Sequence, residues 1–226
     1  TYILLLYRDS ANDVTCPKYY SQLMSINQRN SSKALSMHKQ MKITKSLTMA
    51  ITPLSNTRVT TRQIPEWHHI PNTSIQSKPL MIYHGAFNST PTELEEHLEG
   101  VGEVVPQWVY SMYRQTHFHT TTQEVLGVIS GSARLCFGGE DNPERFEPTV
   151  QRGDLIIVPA GVGHRLLEDL HGNQEKFQMV GAYPHGKQWD MCYGKPEEEA
   201  KVQRIKDVAW FRQDPLYGAE GPALHV

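Results

Sequence analysis

The chain has 226 residues, with 22 basic and 24 acidic side chains and a formal net charge of −2. That balance, with no strongly basic or acidic block, argues against nucleic acid as the main partner. No apolar stretch approaches the ~20 residues needed to span a bilayer, and residues 1–7 lack the basic start and small-residue cleavage pattern of a signal peptide.

Residues 1–48 stand apart from the rest. Between Val14 and Pro65 there is no Asp or Glu, while Lys, Arg, Ser and Thr are frequent. Such a composition permits a mitochondrial-type presequence, a disordered extension, or a gene start placed too early, since Met49-Ala50 precedes the patterned region. We read residues 1–48 as a disordered extension. Residues 49–226 are then one domain, whose N- and C-terminal segments wrap its core. The expected location is cytoplasmic, or mitochondrial if residues 1–48 are a true presequence. Cys16, Cys136 and Cys192 are sparse and odd in number, which does not suggest a disulfide framework.

The best helix signal runs over residues 88–98. Ser89 or Thr90 can cap it, acidic residues fill its first turn, and Leu94 and Leu98 share a face. Trp108 and Tyr110 follow at strand spacing, then Tyr113. These aromatics suit a pocket wall, a core or a dimer interface.

Two histidine-centred segments come next. The first is His117-Phe118-His119-Thr-Thr-Thr-Gln123-Glu124, with six residues between the glutamate and Gly131. Residues two apart on a strand face the same side, so His117 and His119 point together. The polar residues 120–123 can bend or bulge, which would let Glu124 aim at the same place. Residues 125–129 form a short apolar run, as in a buried strand. A turn at residues 130–132, a return strand over 133–137 and a Gly-rich loop over 138–143 follow. In the second segment, Gly153-Asp154 turns into the apolar strand Leu155-Ile-Ile-Val158. The tight turn Pro159-Ala-Gly161-Val-Gly163 then delivers His164 to the start of another strand. Residues 177–183 are a further strand. Short strands between Gly/Pro turns, with little helix, predict an all-β sandwich or barrel. Residues 184–226 carry many turn formers. They are expected to wrap the barrel or cross to a second subunit, with His185 at the surface.

A His-x-His pair alone is a weak signal, because a lone histidine at a strand end more often only hydrogen-bonds. The addition of Glu124 and His164 changes that reading. A buried carboxylate beside three imidazoles is costly unless a cation pairs with it.

These segments resemble the two motifs of the cupin superfamily, His-x-His-x3–4-Glu-x6-Gly and Gly-x5-Pro-x-Gly-x2-His-x3-Asn. Two departures are visible: Ser111 stands where a glycine usually precedes the first histidine, and Glu168 stands for the final asparagine. Neither position is a ligand. The match is closer to the small, single-domain YjlB-like cupins. It includes Val180-Gly-Ala-Tyr-Pro, Trp189-Asp-Met, Tyr193-Gly-Lys-Pro196, Ile70-Pro-Asn-Thr and Leu80-Met-Ile-Tyr83, and covers about residues 60–226. The resemblance implies a double-stranded β-helix, a jelly-roll barrel with a few short peripheral helices. It implies His117, His119, Glu124 and His164 as ligands of one divalent transition metal, and a homodimer. It carries no reaction.

Three imidazoles and one carboxylate suit Fe, Mn, Ni, Cu, Co or Zn and leave coordination positions open. The expected function is a metal-dependent enzyme of dioxygenase, oxidase or isomerase type. Its substrate would be a small oxygenated organic molecule. The alternative is a non-catalytic module that binds or stores a metal or small ligand. Arg114, Arg134 and Arg165 are candidates to hold an anionic substrate, although strand alternation turns Arg165 away from the site of its neighbour His164. Gln123 and Tyr113 are candidates to orient a metal ligand. The catalytic residues are not legible. No nucleic-acid or membrane partner is expected.

Overall fold

The computed structural model describes residues 49–172 and 175–226. The extension expected over residues 1–48 lies outside the described residues. The strands are β1 (Ala50–Ile51), β2 (Arg58–Arg62), β3 (Leu80–His84), β4 (Phe87–Asn88), β5 (Val104–Tyr110) and β6 (Glu124–Ser130). They continue with β7 (Ser132–Phe137), β8 (Thr149–Gln151), β9 (Leu155–Val158), β10 (His164–Asp169) and β11 (Gln178–Pro184). The α-helices are α1 (Pro91–Val101) and the short α2 (Glu199–Val202). No described helix is long and apolar enough to cross a membrane.

All strand pairs are antiparallel. One sheet has the order β2-β3-β9-β6-β11-β5 and faces a smaller sheet, β10-β7-β8. This is the expected all-β jelly roll. Alternate residues of the strands build its inner core: Leu80, Ile82, Leu126, Val128, Leu135, Phe137, Ile156, Val158, Leu166 and Met179. The intervening residues Met81, Tyr83, Val125, Leu155, Ile157 and Val180 point the other way, into a second core. That core is closed by Leu94 and Leu98 of α1 and by Phe211, Leu216 and Ala223. The large sheet is therefore buried on both faces. This explains why β6 and β9 read as unbroken apolar runs rather than alternating ones.

Helix α1 begins after Thr90, one of the two expected caps, and runs three residues past Leu98. Thr90 is its N-cap, in a reciprocal capping box with Glu93, and Pro91 takes the first helical position. Gly102, in the left-handed conformation, ends it. Residues before Thr90 belong to β4 and its exit.

The C-terminal segment is clipped to the outer face by Asp214, which is fully buried. Its Oδ2 accepts from the Tyr83 hydroxyl at 2.7 Å and from the Ala223 N–H at 3.1 Å. Its Oδ1 accepts from the N–H groups of Leu216 and Tyr217 at 2.9 and 3.0 Å. Burial and the adjacent Asp214 charge push the Tyr83 pKa up, so the phenol stays a donor. Removing such an acceptor leaves several buried donors without partners. Asp214→Ala should therefore cost roughly 3 kcal/mol or more in urea unfolding. A loss below about 1 kcal/mol would mean that apolar contacts alone hold the tail.

Candidate metal centre

The site lies at one end of the barrel, between the two sheets. Glu124 opens β6 and pairs with Val158 of β9 in the large sheet. His164 opens β10 in the small sheet, opposite Phe137 of β7. His117 pairs antiparallel with His164, with backbone hydrogen bonds of 3.2 and 2.9 Å. Residues 159–163 carry the chain from Val158 to His164, from one sheet to the other. The Pro-x-Gly-x2-His spacing is thus the span between the partner of Glu124 and the partner of His117. Gly161 adopts a φ of +92°, and a Cβ there would sit 3.0 Å from the Asn72 carbonyl oxygen, so the turn calls for glycine.

Phe118 shows the alternation expected of the first segment. It points away from the histidines into a cluster with Ala160, Cys192, Val202 and Ile205. Residues 120–123 form the predicted bend rather than continuous strand. That bend lets Glu124 arrive from the other sheet.

The donor nitrogens of His117, His119 and His164 lie within 4.8 Å of one another, and all three rings are buried. Each ring presents its Nδ1 to a backbone carbonyl. His117 bonds Gln115 at 3.0 Å, His164 bonds Val162 at 2.9 Å, and His119 bonds Asp190. A carbonyl only accepts, so each Nδ1 carries the proton and a neutral ring offers its Nε2 lone pair to the site. Glu124 meets those lone pairs. Its Oε2 is 3.2 Å from His164 Nε2, and its Oε1 is 3.6 Å from His119 Nε2. His119 Nε2 is buried without a hydrogen-bond partner.

Lone pairs facing a carboxylate repel unless a cation lies between them. A second proton on a ring can fill one such gap. Burial works against a charged His119, but Glu124 beside it outweighs that and raises its pKa. Burial works against the charged Glu124 too, yet His119 and His164 hold its pKa well below the ordinary carboxylate range. His117 cannot take this route, because burial and the two neighbouring rings push its pKa down to about 3. A divalent metal satisfies all the donors at once, so these residues fit one.

The surrounding residues hold this geometry. Asp190 accepts from the Thr120 N–H and hydroxyl at 2.7 Å each, pinning the bend after His119. Asn72, buried and at a φ of +48°, clasps the turn before His164. Its N–H donates to the Gly161 carbonyl at 3.0 Å, and its side-chain oxygen accepts from the Gly163 N–H at 3.2 Å. Trp189 lies 6.0 Å from His119 between ring centres, and Tyr113 meets His117 edge-on at 5.4 Å. Cys192 is buried, with its sulfur 3.7 Å from the Asp190 carboxylate. Burial and that charge push its thiol up to about 12.

The structure brings together all four residues named from the motifs. It does not bring in the arginines. Arg114 reaches the Leu167 carbonyl, Arg134 pairs with Glu168, and Arg165 pairs with Glu140. Among the described residues, every lysine and arginine is exposed or half-buried. Gln123 sends its amide to the Ala209 carbonyl at 2.7 Å, so it does not orient a histidine. His185 is exposed, as expected. Asn72 and Asp190 escaped residue-level reading, because each acts across a long loop in the chain.

The folded pKa of His117 lies below its ordinary value of 6.5, so the unfolded chain takes up the extra proton first. Its contribution to the stability of the metal-free protein is complete above that ordinary value and is lost as pH falls towards about 3. The urea midpoint of metal-free protein should drop between about pH 7.5 and about pH 5, and the drop should shrink in His117→Gln. Equal drops in both proteins would assign the effect to another group.

A cupin family model matches residues 110–176. The chain is 35% identical over 149 residues to the uncharacterized protein YjlB of Bacillus subtilis (strain 168), a match covering 66% of this chain and 85% of that one. Among solved structures, a mutant oxalate decarboxylase of Bacillus subtilis aligns at 18% identity and a TM-score of 0.31, over 68% of this chain and 33% of that one. Procruciferin, an 11S globulin of Brassica napus, aligns at 14% identity and a TM-score of 0.30, over 76% of this chain and 40% of that one. The chain thus spans well under half of either solved structure. The family match and the YjlB relative, with the barrel and its histidines, show that this chain belongs to the cupin superfamily, among the YjlB-like cupins.

Proposed function

We propose that His117, His119, Glu124 and His164 together hold one divalent transition metal. The protein is then a metal-dependent enzyme of oxidoreductase or isomerase type, acting on a small oxygenated organic molecule. One observation carries this reading. Three buried imidazoles have all committed Nδ1 to backbone carbonyls, and their Nε2 lone pairs converge beside an ionised carboxylate. Four protein donors leave positions open for an oxygen ligand. A metal held there supplies Lewis acidity to a bound oxygen atom and, with iron or copper, access to dioxygen chemistry.

The chain's own residues do the rest. The carbonyls of Gln115, Val162 and Asp190 fix the ring orientations, as outer partners do for metal-binding histidines. The rings of Tyr113 and Trp189 lie beside His117 and His119 and limit water around them. The likeness to cupins carries a homodimer paired through its sheets as part of this reading.

The outward arginines favour a second reading. Among the described residues, no lysine or arginine is buried near the histidines to anchor an anionic substrate. The same barrel could bind a metal or a small ligand without turnover.

Elemental analysis of protein purified without a histidine tag tests the ligand set on which the enzyme reading depends. About one equivalent of Fe, Mn, Ni or Cu is expected per chain, and His164→Ala should lose it. Stoichiometric metal in that variant would show the ligand set to be wrong. Protein with no metal, and no uptake on titration, would leave the binding module as the better reading.

A further inference from the structure

The two oxygens of Glu124 have different neighbours. Oε2 faces His164 Nε2 at 3.2 Å. Oε1 accepts a hydrogen bond of 2.5 Å from the Tyr183 hydroxyl, while His119 Nε2 lies 3.6 Å away. Tyr183 is on β11 and is 1% exposed. Its oxygen accepts in turn from the Trp108 indole N–H at 3.0 Å. An indole nitrogen only donates, so the tyrosine proton is directed to Glu124. Trp189 stacks on the Tyr183 ring, with centres 6.3 Å apart and planes at 27°. The Trp108 ring can approach β11 only because its strand partner is Gly181. A Cβ there would fall 2.0 Å from an indole carbon.

We propose that Tyr183 is a positioning residue that makes Glu124 a one-oxygen metal ligand, with Trp108 setting the direction of its hydroxyl. This rests on the four-ligand reading above. A carboxylate can bind a cation through one oxygen or through both. A short O–H···O⁻ bond is charge-assisted; it takes one lone pair of Oε1 and draws down the charge on that oxygen, so Oε1 is the weaker donor to a metal. Oε2 remains for the metal. The coordination position that Oε1 would otherwise take stays open for substrate oxygen.

The test is infrared spectroscopy of protein stripped of metal and reloaded with Zn(II), with its glutamates labelled with carbon-13. The gap between the two carboxylate stretches is wide for one-oxygen binding and narrows when both oxygens bind. Zn-loaded wild type should show a wide gap on metal loading. Tyr183→Phe, which keeps the ring and its stacking, should narrow it. Trp108→Phe, which leaves the hydroxyl without its orienting donor, should narrow it in part. A wild-type gap in Tyr183→Phe overturns the proposal while the metal site stands. If Tyr183→Phe fails to fold, an unchanged gap in Trp108→Phe overturns it equally. Wild type that takes up no Zn(II) overturns the four-ligand reading and this one with it.

Discussion

The end of this barrel is organised by a repulsion that a proton on one ring relieves only in part. A buried carboxylate faces nitrogens whose protons have been turned away to backbone carbonyls. Each Nδ1 bond taken singly only orients one ring. Together they force three lone pairs and an anion into one small volume, where low polarity magnifies every unsatisfied charge. Much of the nearby architecture maintains that arrangement. The turn at residues 159–163 sets the separation of Glu124 and His164. Asn72 holds the turn, and Asp190 holds the bend that follows His119.

The donors come from different layers. Glu124 belongs to the six-stranded sheet and His164 to the three-stranded one, while His117 and His119 run alongside the latter. The inner core between the sheets fixes their spacing with close-packed aliphatic side chains. The outer core matters to the site as well. It presses α1 and the C-terminal segment against the back of the strands that carry Glu124 and Tyr183. The tail is continuous with residues 189–192, which lie along the histidine segment and supply the Asp190 carbonyl to His119.

The four converging side chains were legible because their spacing is set by local geometry: two residues along a strand, a bend, and a turn of fixed length. The two-sided burial of β6 and β9 was legible for the same reason, since strands covered on both faces need apolar residues throughout. What could not be read is what joins distant parts of the chain. Asn72 reaches Gly163 and Asp190 reaches Thr120 only once the barrel is closed. Both lie in stretches that stood out by family likeness alone. Gln123 looked like a natural partner for the ligands because it is next to one. The bend before β6 turns its amide to Ala209 instead. Strand alternation keeps Arg165 on the outside, as the sequence had indicated. The helix start was legible because Thr90, one of the two expected caps, closes a capping box with Glu93.

Cys192 gives the site one further property. Its sulfur lies beside the carboxylate whose own backbone carbonyl orients His119, yet burial and that negative charge keep the thiol protonated well beyond neutral pH. Thiolate is the form that binds soft metals and that oxidants attack. The neighbourhood is therefore chemically quiet towards sulfur reactions. At neutral pH the metal-free protein offers an oxidant no ready thiolate at this position.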